Sequence, residues 1–243
     1  MDKDSNKTTF IFSSVMVVVI AILLSVTAIS LAPYQERNSN IEKMKNILNS
    51  VSITPKDSQI ETTFKQYITQ QIVLNNKGEA LSGSTAAFDV DLKKEMDKIK
   101  SGKSDERLYP LFICTKNNEK FYIIPIRGKG LWGPIWGYIA LESDKNTVYG
   151  VSFGHKSETP GLGAEIETVS FQEQFKGKKI RNDSGEFISV SVIKGGAGVT
   201  NHHGVDAISG ATITSIGVSD MIRNTLQNYI LYFDKEQEVA NNN

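Results

Sequence analysis

The residues with the clearest chemical potential are Asp206-Ala207-Ile208-Ser209-Gly210-Ala211-Thr212-Ile213-Thr214-Ser215, a short run of small, hydroxyl-bearing residues led by one acid. The segment after it, Ile216 to Leu226, carries apolar residues at helical spacing. Hydroxyls and unpaired backbone N–H groups at a helix start suit a phosphate. An ordinary N-cap uses the same residue types, so the run alone leaves both readings open. A second run, Glu79-Ala80-Leu81-Ser82-Gly83-Ser84-Thr85, resembles the first position by position but lacks the Thr-Ser continuation. It follows the turn cluster Asn75-Asn76-Lys77-Gly78 and reads as a loop.

Three glycine-rich stretches lie upstream of the first run. Arg127 to Gly137 holds Trp132 and Trp136 among four glycines and a proline. Glycine lets a backbone approach a ligand closely, and tryptophan can pack flat on an aromatic ring, although both tryptophans could equally belong to the core. Gly154 to Ala164 is polar and glycine-rich, with the length of a binding loop. Lys194-Gly195-Gly196-Ala197-Gly198 puts a lysine on a turn that could touch a phosphate. No Gly-Lys-Ser/Thr closes that turn as a P-loop, and a plain turn explains it as well.

Other chemistry is poorly supported. The three histidines, His155, His202 and His203, have no carboxylate at a familiar metal-ligand spacing. Cys114 is the only cysteine, which excludes an internal disulfide and a multi-cysteine metal site. Lys plus Arg equals Asp plus Glu at 27 each, so no basic excess points to nucleic acid. No paired carboxylates or Ser-His-Asp set suggests hydrolysis. No Gly-x-Gly-x-x-Gly follows a strand in a βαβ context to bind a dinucleotide.

The elements that must position these residues begin with an anchor. From Thr8 to Tyr34 no residue is charged, and the run is longer than the roughly 20 apolar residues that a spanning helix needs. It also exceeds the h-region of a signal peptide, which favours an uncleaved anchor over residues 9–34, behind an N-terminal tail of residues 1–8. Flanking charges are nearly balanced and do not orient it. Residues 36–50 continue as an amphipathic stalk until Pro55, and a second helix carries Ile60, Phe64, Tyr67 and Ile68 on one side. Leu92, Met96 and Ile99 mark a third. From Leu108 the pattern becomes β: 108–114, 121–126, 138–141 and 147–153 read as an antiparallel meander. Residues 171–175 form a short helix, and 187–193 alternate as a strand. The expected class is α+β, an antiparallel sheet flanked by helices, with one transmembrane helix. Residues 35–105 form the stalk and membrane-proximal part, 106–234 the main domain, and 235–243 a flexible tail.

Taken in order, the anchor, Gly-Leu-Trp-Gly-Pro-Ile-Trp-Gly (130–137), Glu-Thr-Pro-Gly-Leu-Gly-Ala (158–164), Lys-Gly-Gly (194–196) and Asp-Ala-Ile-Ser-Gly-Ala-Thr-Ile-Thr-Ser (206–215) resemble the C subunit of the sodium-translocating NADH:quinone reductases. The resemblance covers essentially the whole chain. Its last motif is similar to the Asp-x-x-Ser/Thr-Gly-Ala-Thr sequence recognised by flavin transferase. The G subunit of the related Rnf complex shares the flavin domain and is the nearest alternative. A non-catalytic, membrane-anchored assembly module is another.

The resemblance implies FMN joined through its phosphate to the hydroxyl of Thr212, with Thr214 the neighbour most easily mistaken for it. It implies that Asp206, Ser209 and Gly210 serve attachment and that the isoalloxazine packs against Thr159 and Leu162. Gly161 and Gly163 let the backbone close on the flavin edge, Lys194 stands near the phosphate, and Trp132 and Trp136 are candidate ring neighbours. It further implies a single-pass protein of the bacterial inner membrane with its soluble domain on the periplasmic side. The remaining subunits of the complex and a flavin transferase are its partners. Such a protein relays electrons from NADH towards quinone, coupled to sodium export, and is not catalytic alone. A single uncharged span offers no ion path of its own.

Overall fold

A computed structural model of the chain describes residues 6–83 and 86–241. Ser84 and Thr85, the end of the second hydroxyl-rich run, lie outside the described residues. The chain divides into two compact units that part between Lys43 and Met44. Helix α1 (Asn6–Ser50) supplies the first unit and is long and apolar enough to cross a membrane. Within it Thr27 and Ser30 donate their hydroxyls to the carbonyls of Leu23 and Val26, 2.8 Å each, so neither polar group is left for lipid.

The second unit begins with the end of α1, where Ile47 and Leu48 are fully buried. It continues through α2 (Ile60–Tyr67), β1 (Ile68–Leu74), α3 (Leu92–Lys100), β2 (Tyr109–Lys116), β3 (Glu119–Lys129), β4 (Pro134–Leu141) and β5 (Val148–His155). There follow α4 (Val169–Gln172), β6 (Ser191–Ile193), β7 (Gly204–Asp206), α5 (Thr212–Leu226) and α6 (Ile230–Asn241). Strands β1 to β5 pair antiparallel in chain order, and β6 pairs with β7 in parallel. The expected meander and fold class are therefore present.

Local chemistry explains the turns. Asn117 and Asn118 both adopt positive φ, the two-residue connection whose twist matches a hairpin. Asp144 accepts from the backbone of Asn146 and Thr147 to close the β4–β5 hairpin. Asp91 caps α3 through the N–H groups of Lys93 and Lys94.

The sheet buries both faces. On one lie Ile124, Ile126 and Ile139, covered by Val218, Met221 and Ile222 of α5 and by Phe233 of α6. On the other lie Phe112, Ile123, Tyr138 and Ala140, covered by Ile47 and Leu48 of α1 and Phe64 of α2. This double burial is why β2 and β3 read as continuous apolar runs.

Several expectations need correction. Ile68 opens β1 instead of lying on a helix face, and residues 68–74 form an edge strand that the sequence pattern did not reveal. β1 pairs with β2, so residues 44–105 belong to the same compact unit as the remainder. The strand expected over 187–193 is confined to Ser191–Ile193, because Ser189 takes φ 70 and breaks the extended run. Residues 171–175 split into α4 and a 3-10 turn. Residues 235–241, expected in a tail, are helical in α6.

Candidate functional site

Thr212 is the first helical residue of α5. The chain reaches it through a turn in which Ala211 donates to the Ile208 carbonyl and Gly210 sits at φ 74, a conformation that favours glycine. Ala211 holds the N-cap position and offers no side-chain acceptor. Among the described residues no acceptor meets the backbone N–H groups of Thr212, Ile213 or Thr214. The side chain of Thr212 is exposed. An open hydroxyl thus stands beside three open N–H donors at the positive end of a helix of 15 residues.

Thr214 differs completely. It is 1% exposed and donates its hydroxyl to Glu158 Oε2 at 2.6 Å. Glu158 is itself 4% exposed, and its Oε1 accepts from the N–H of Trp132 at 2.8 Å. Burial would raise its pKa, but hydrogen bonds from Thr214 and from the backbones of Trp132, Leu131 and Gly133 outweigh that and hold the carboxyl below the ordinary range. One buried carboxylate therefore joins three elements: the β3–β4 turn, the loop after β5 and the first turn of α5.

Glycines make this junction possible. A Cβ on Gly163 would collide with Glu158 Oε2 and lie 2.7 Å from Thr214 Oγ1. A Cβ on Gly130 would lie 2.6 Å from Glu158 Oε1, and one on Gly217 would collide with the Lys129 carbonyl. The loop turns at Thr159, whose carbonyl accepts from Leu162 and Ala164, with Gly161 at φ 75. Leu162, 40% exposed, reaches back so that its Cδ2 is 2.7 Å from where a Cβ on Gly210 would stand.

The expected residues fall into three groups. Thr159, Gly161, Leu162, Ser209, Gly210 and Thr212 gather about the Glu158 junction, with Trp132 on the adjoining turn and 65% exposed. Asp206 and Lys194 form a second feature. Asp206 ends β7 opposite Ile193, and its Oδ1 accepts from Ala197 at 2.7 Å, fastening the glycine-rich turn that starts at the exposed Lys194. Trp136 stands apart. It lies within β4 at the alternation of Tyr138 and Ala140, hence on the sheet face opposite α5, where its indole covers Gly154. Glu158 and Thr214 were not singled out as functional by the sequence. The acid at the head of Thr-Pro-Gly-Leu-Gly was the available signal, but its partner lies 56 residues away.

Comparison with known proteins adds a second line of observation. The profile of the FMN-binding domain family matches residues 130–227, which span the β3–β4 turn, the loop and α5. The C subunit of the Na(+)-translocating NADH-quinone reductase from Vibrio vulnificus (strain YJ016) is 33% identical over 211 residues, 82% of each chain. The Vibrio anguillarum counterpart is 32% identical over 228 residues, 89% of each. Among solved structures, the same subunit from Parabacteroides distasonis is 41% identical with a TM-score of 0.73, covering 84% of this chain and 96% of that one. The Shewanella oneidensis protein, at 25% identity, gives 0.66 over 82% and 99%.

Proposed function

Because the chain belongs to the C-subunit family of Na(+)-translocating NADH-quinone reductases, we propose that it carries FMN as a phosphoester on the Thr212 hydroxyl and relays electrons within that membrane complex. The observation that carries the assignment is the contrast between two threonines. Thr212 is exposed at the helix start, while Thr214 is buried and committed to Glu158. The residues present fit a flavin phosphate: an open hydroxyl, three unpaired N–H groups and the exposed Lys194 on a neighbouring turn.

FMN, when bound, supplies the redox chemistry of the subunit. The chain's own residues orient and protect it. Leu162 and Thr159 offer the face on which the ring system rests, and Gly161 lets the backbone come close. Glu158 holds this loop and α5 in one arrangement. Asp206 keeps the Lys194 turn closed, which gives it a structural part beside any recognition by a flavin transferase. A covalent tether keeps the carrier from being lost by dilution. Trp136 is not assigned to the ring, because it occupies the opposite sheet face.

Sodium movement, NADH oxidation and quinone reduction fall to partner subunits, since one uncharged span has no ion path. The α1 helix anchors the chain in the inner membrane with residues 44–243 on the periplasmic side. The test is intact mass and in-gel flavin fluorescence of the denatured chain after co-expression with a flavin transferase. The wild type and Thr214→Val are expected to carry one FMN, and Thr212→Val none. A wild-type chain of unmodified mass under those conditions would refute the assignment and favour a colourless assembly module.

A further inference from the structure

The β2–β3 ladder is complete from Lys116–Glu119 to Phe112–Ile123 and then stops. Continuing its register would set Pro110 against Pro125. Neither proline has an N–H to donate, and proline in a central strand ordinarily argues against pairing there. Two at one register position part the strands. The Pro110 carbonyl is met instead by the Tyr229 hydroxyl at 2.8 Å, from the segment that leads into α6. A cavity of about 330 Å³ occupies the gap, lined by Arg107, Tyr109, Pro125 and Arg127, the C-terminal end of α5 and α3.

The charges around this cavity do not balance. Glu95 is its only acidic lining residue, and its Oε2 is spent on Lys98 at 2.9 Å and on the Leu108 N–H at 2.8 Å. Asp97, the acid that feels Arg127 through space, pairs with Lys100 at 2.9 Å. Among the described residues neither the Arg107 nor the Arg127 guanidinium has a carboxylate within ion-pair distance or a protein hydrogen-bond acceptor. Arg107 is held by stacking, its guanidinium 4.8 Å from the Tyr109 ring centre, and its Nε is buried without a partner. The carbonyls of Asn224 and Thr225 already accept from Asn228.

A helix C-terminus is a favourable place for a cation, and that alone would account for one arginine. It does not account for two forked guanidinium groups without acceptors at one opening in the sheet. Both arginines are half-buried, with Arg107 Nε enclosed and unpartnered, and guanidinium matches the planar oxygens of carboxylate and phosphate bidentately. We propose that the gap between Pro110 and Pro125 is a binding site for a small oxyanion, a phosphate or carboxylate group gripped by Arg107 and Arg127 beside the Tyr109 ring. It lies apart from the Thr212 site and involves none of its residues.

The probes are inorganic phosphate and citrate, titrated into the full chain in an uncharged detergent at ionic strength held constant with sodium chloride. Thermal midpoint and the arginine Nε–H resonances are read together. One or both anions are expected to raise the midpoint saturably over chloride and to shift two arginine resonances. Arg107→Gln and Arg127→Gln should each weaken binding about tenfold or more, and Arg127→Lys should weaken it while keeping the charge. Lys194→Gln should leave it unchanged. Wild-type protein that responds to both anions only as it does to chloride overturns the proposal, whatever the variants do. So does an oxyanion response that Lys194→Gln abolishes and the arginine variants retain, since that would place the anion at the α5 N-terminus.

Discussion

Glu158 shows how much one side chain can organise. Its two oxygens receive Thr214 and Trp132, 56 and 26 residues distant in sequence. The folded protein favours its ionised form, so this contribution to stability is fully present above the ordinary glutamate pKa of about 4.3 and is lost as pH falls below it, through the lower folded value. Glu158→Gln is expected to cost about 1–3 kcal/mol at neutral pH, because an amide nitrogen then faces a donor in a buried site. Below about pH 4.3 the variant should lose less further stability than the wild type. Thermal melts of both proteins at about pH 7 and about pH 3.5, on either side of that value, check this. A wild type and variant that decline in parallel would count against the carboxylate's role.

At the level of elements, the site depends on close approach. The first turn of α5 meets the β3–β4 turn and the 158–164 loop with no room for a methyl group at Gly163. Gly163→Ala should therefore destabilise by about 1–3 kcal/mol, by pushing Glu158 off Thr214, and denaturant unfolding measures it. The sequence made some of this legible. Apolar runs and asparagine turns exposed the meander from β2 to β5, and the hydroxyl run marked the start of α5. Other features gave no local signal. β1 is Ile-Thr-Gln-Gln-Ile-Val-Leu, an edge strand with solvent-facing polar residues, placed directly after a helix with no turn residue between them. β6 and β7 are three residues each, too short for any periodicity, and their parallel pairing is long-range. Trp136 shared its glycine-rich neighbourhood with Trp132, and only strand register separates them: one stands on a turn, the other on the far face of β4. The Glu158–Thr214 pair was hidden for the same reason, since contact at such separation is a property of the fold.

For the whole molecule, the division after Lys43 makes a practical boundary. Ile47 and Leu48 are fully buried in the second unit, each worth about 1.5–3 kcal/mol of burial. A chain starting at Met44 is expected to be soluble and to unfold cooperatively. A chain starting at Ser52 should lose roughly 3–6 kcal/mol from those two side chains alone. Circular dichroism melts of the two chains distinguish them, and equal stability would show that the end of α1 is dispensable. The last residues matter as much as the first. Tyr229 closes on the Pro110 carbonyl across 119 positions, and Phe233 packs on Tyr122. The Pro110 carbonyl therefore gains this partner only once a segment 119 residues further along the chain has been made, so the contact is among the longest-range in the sheet.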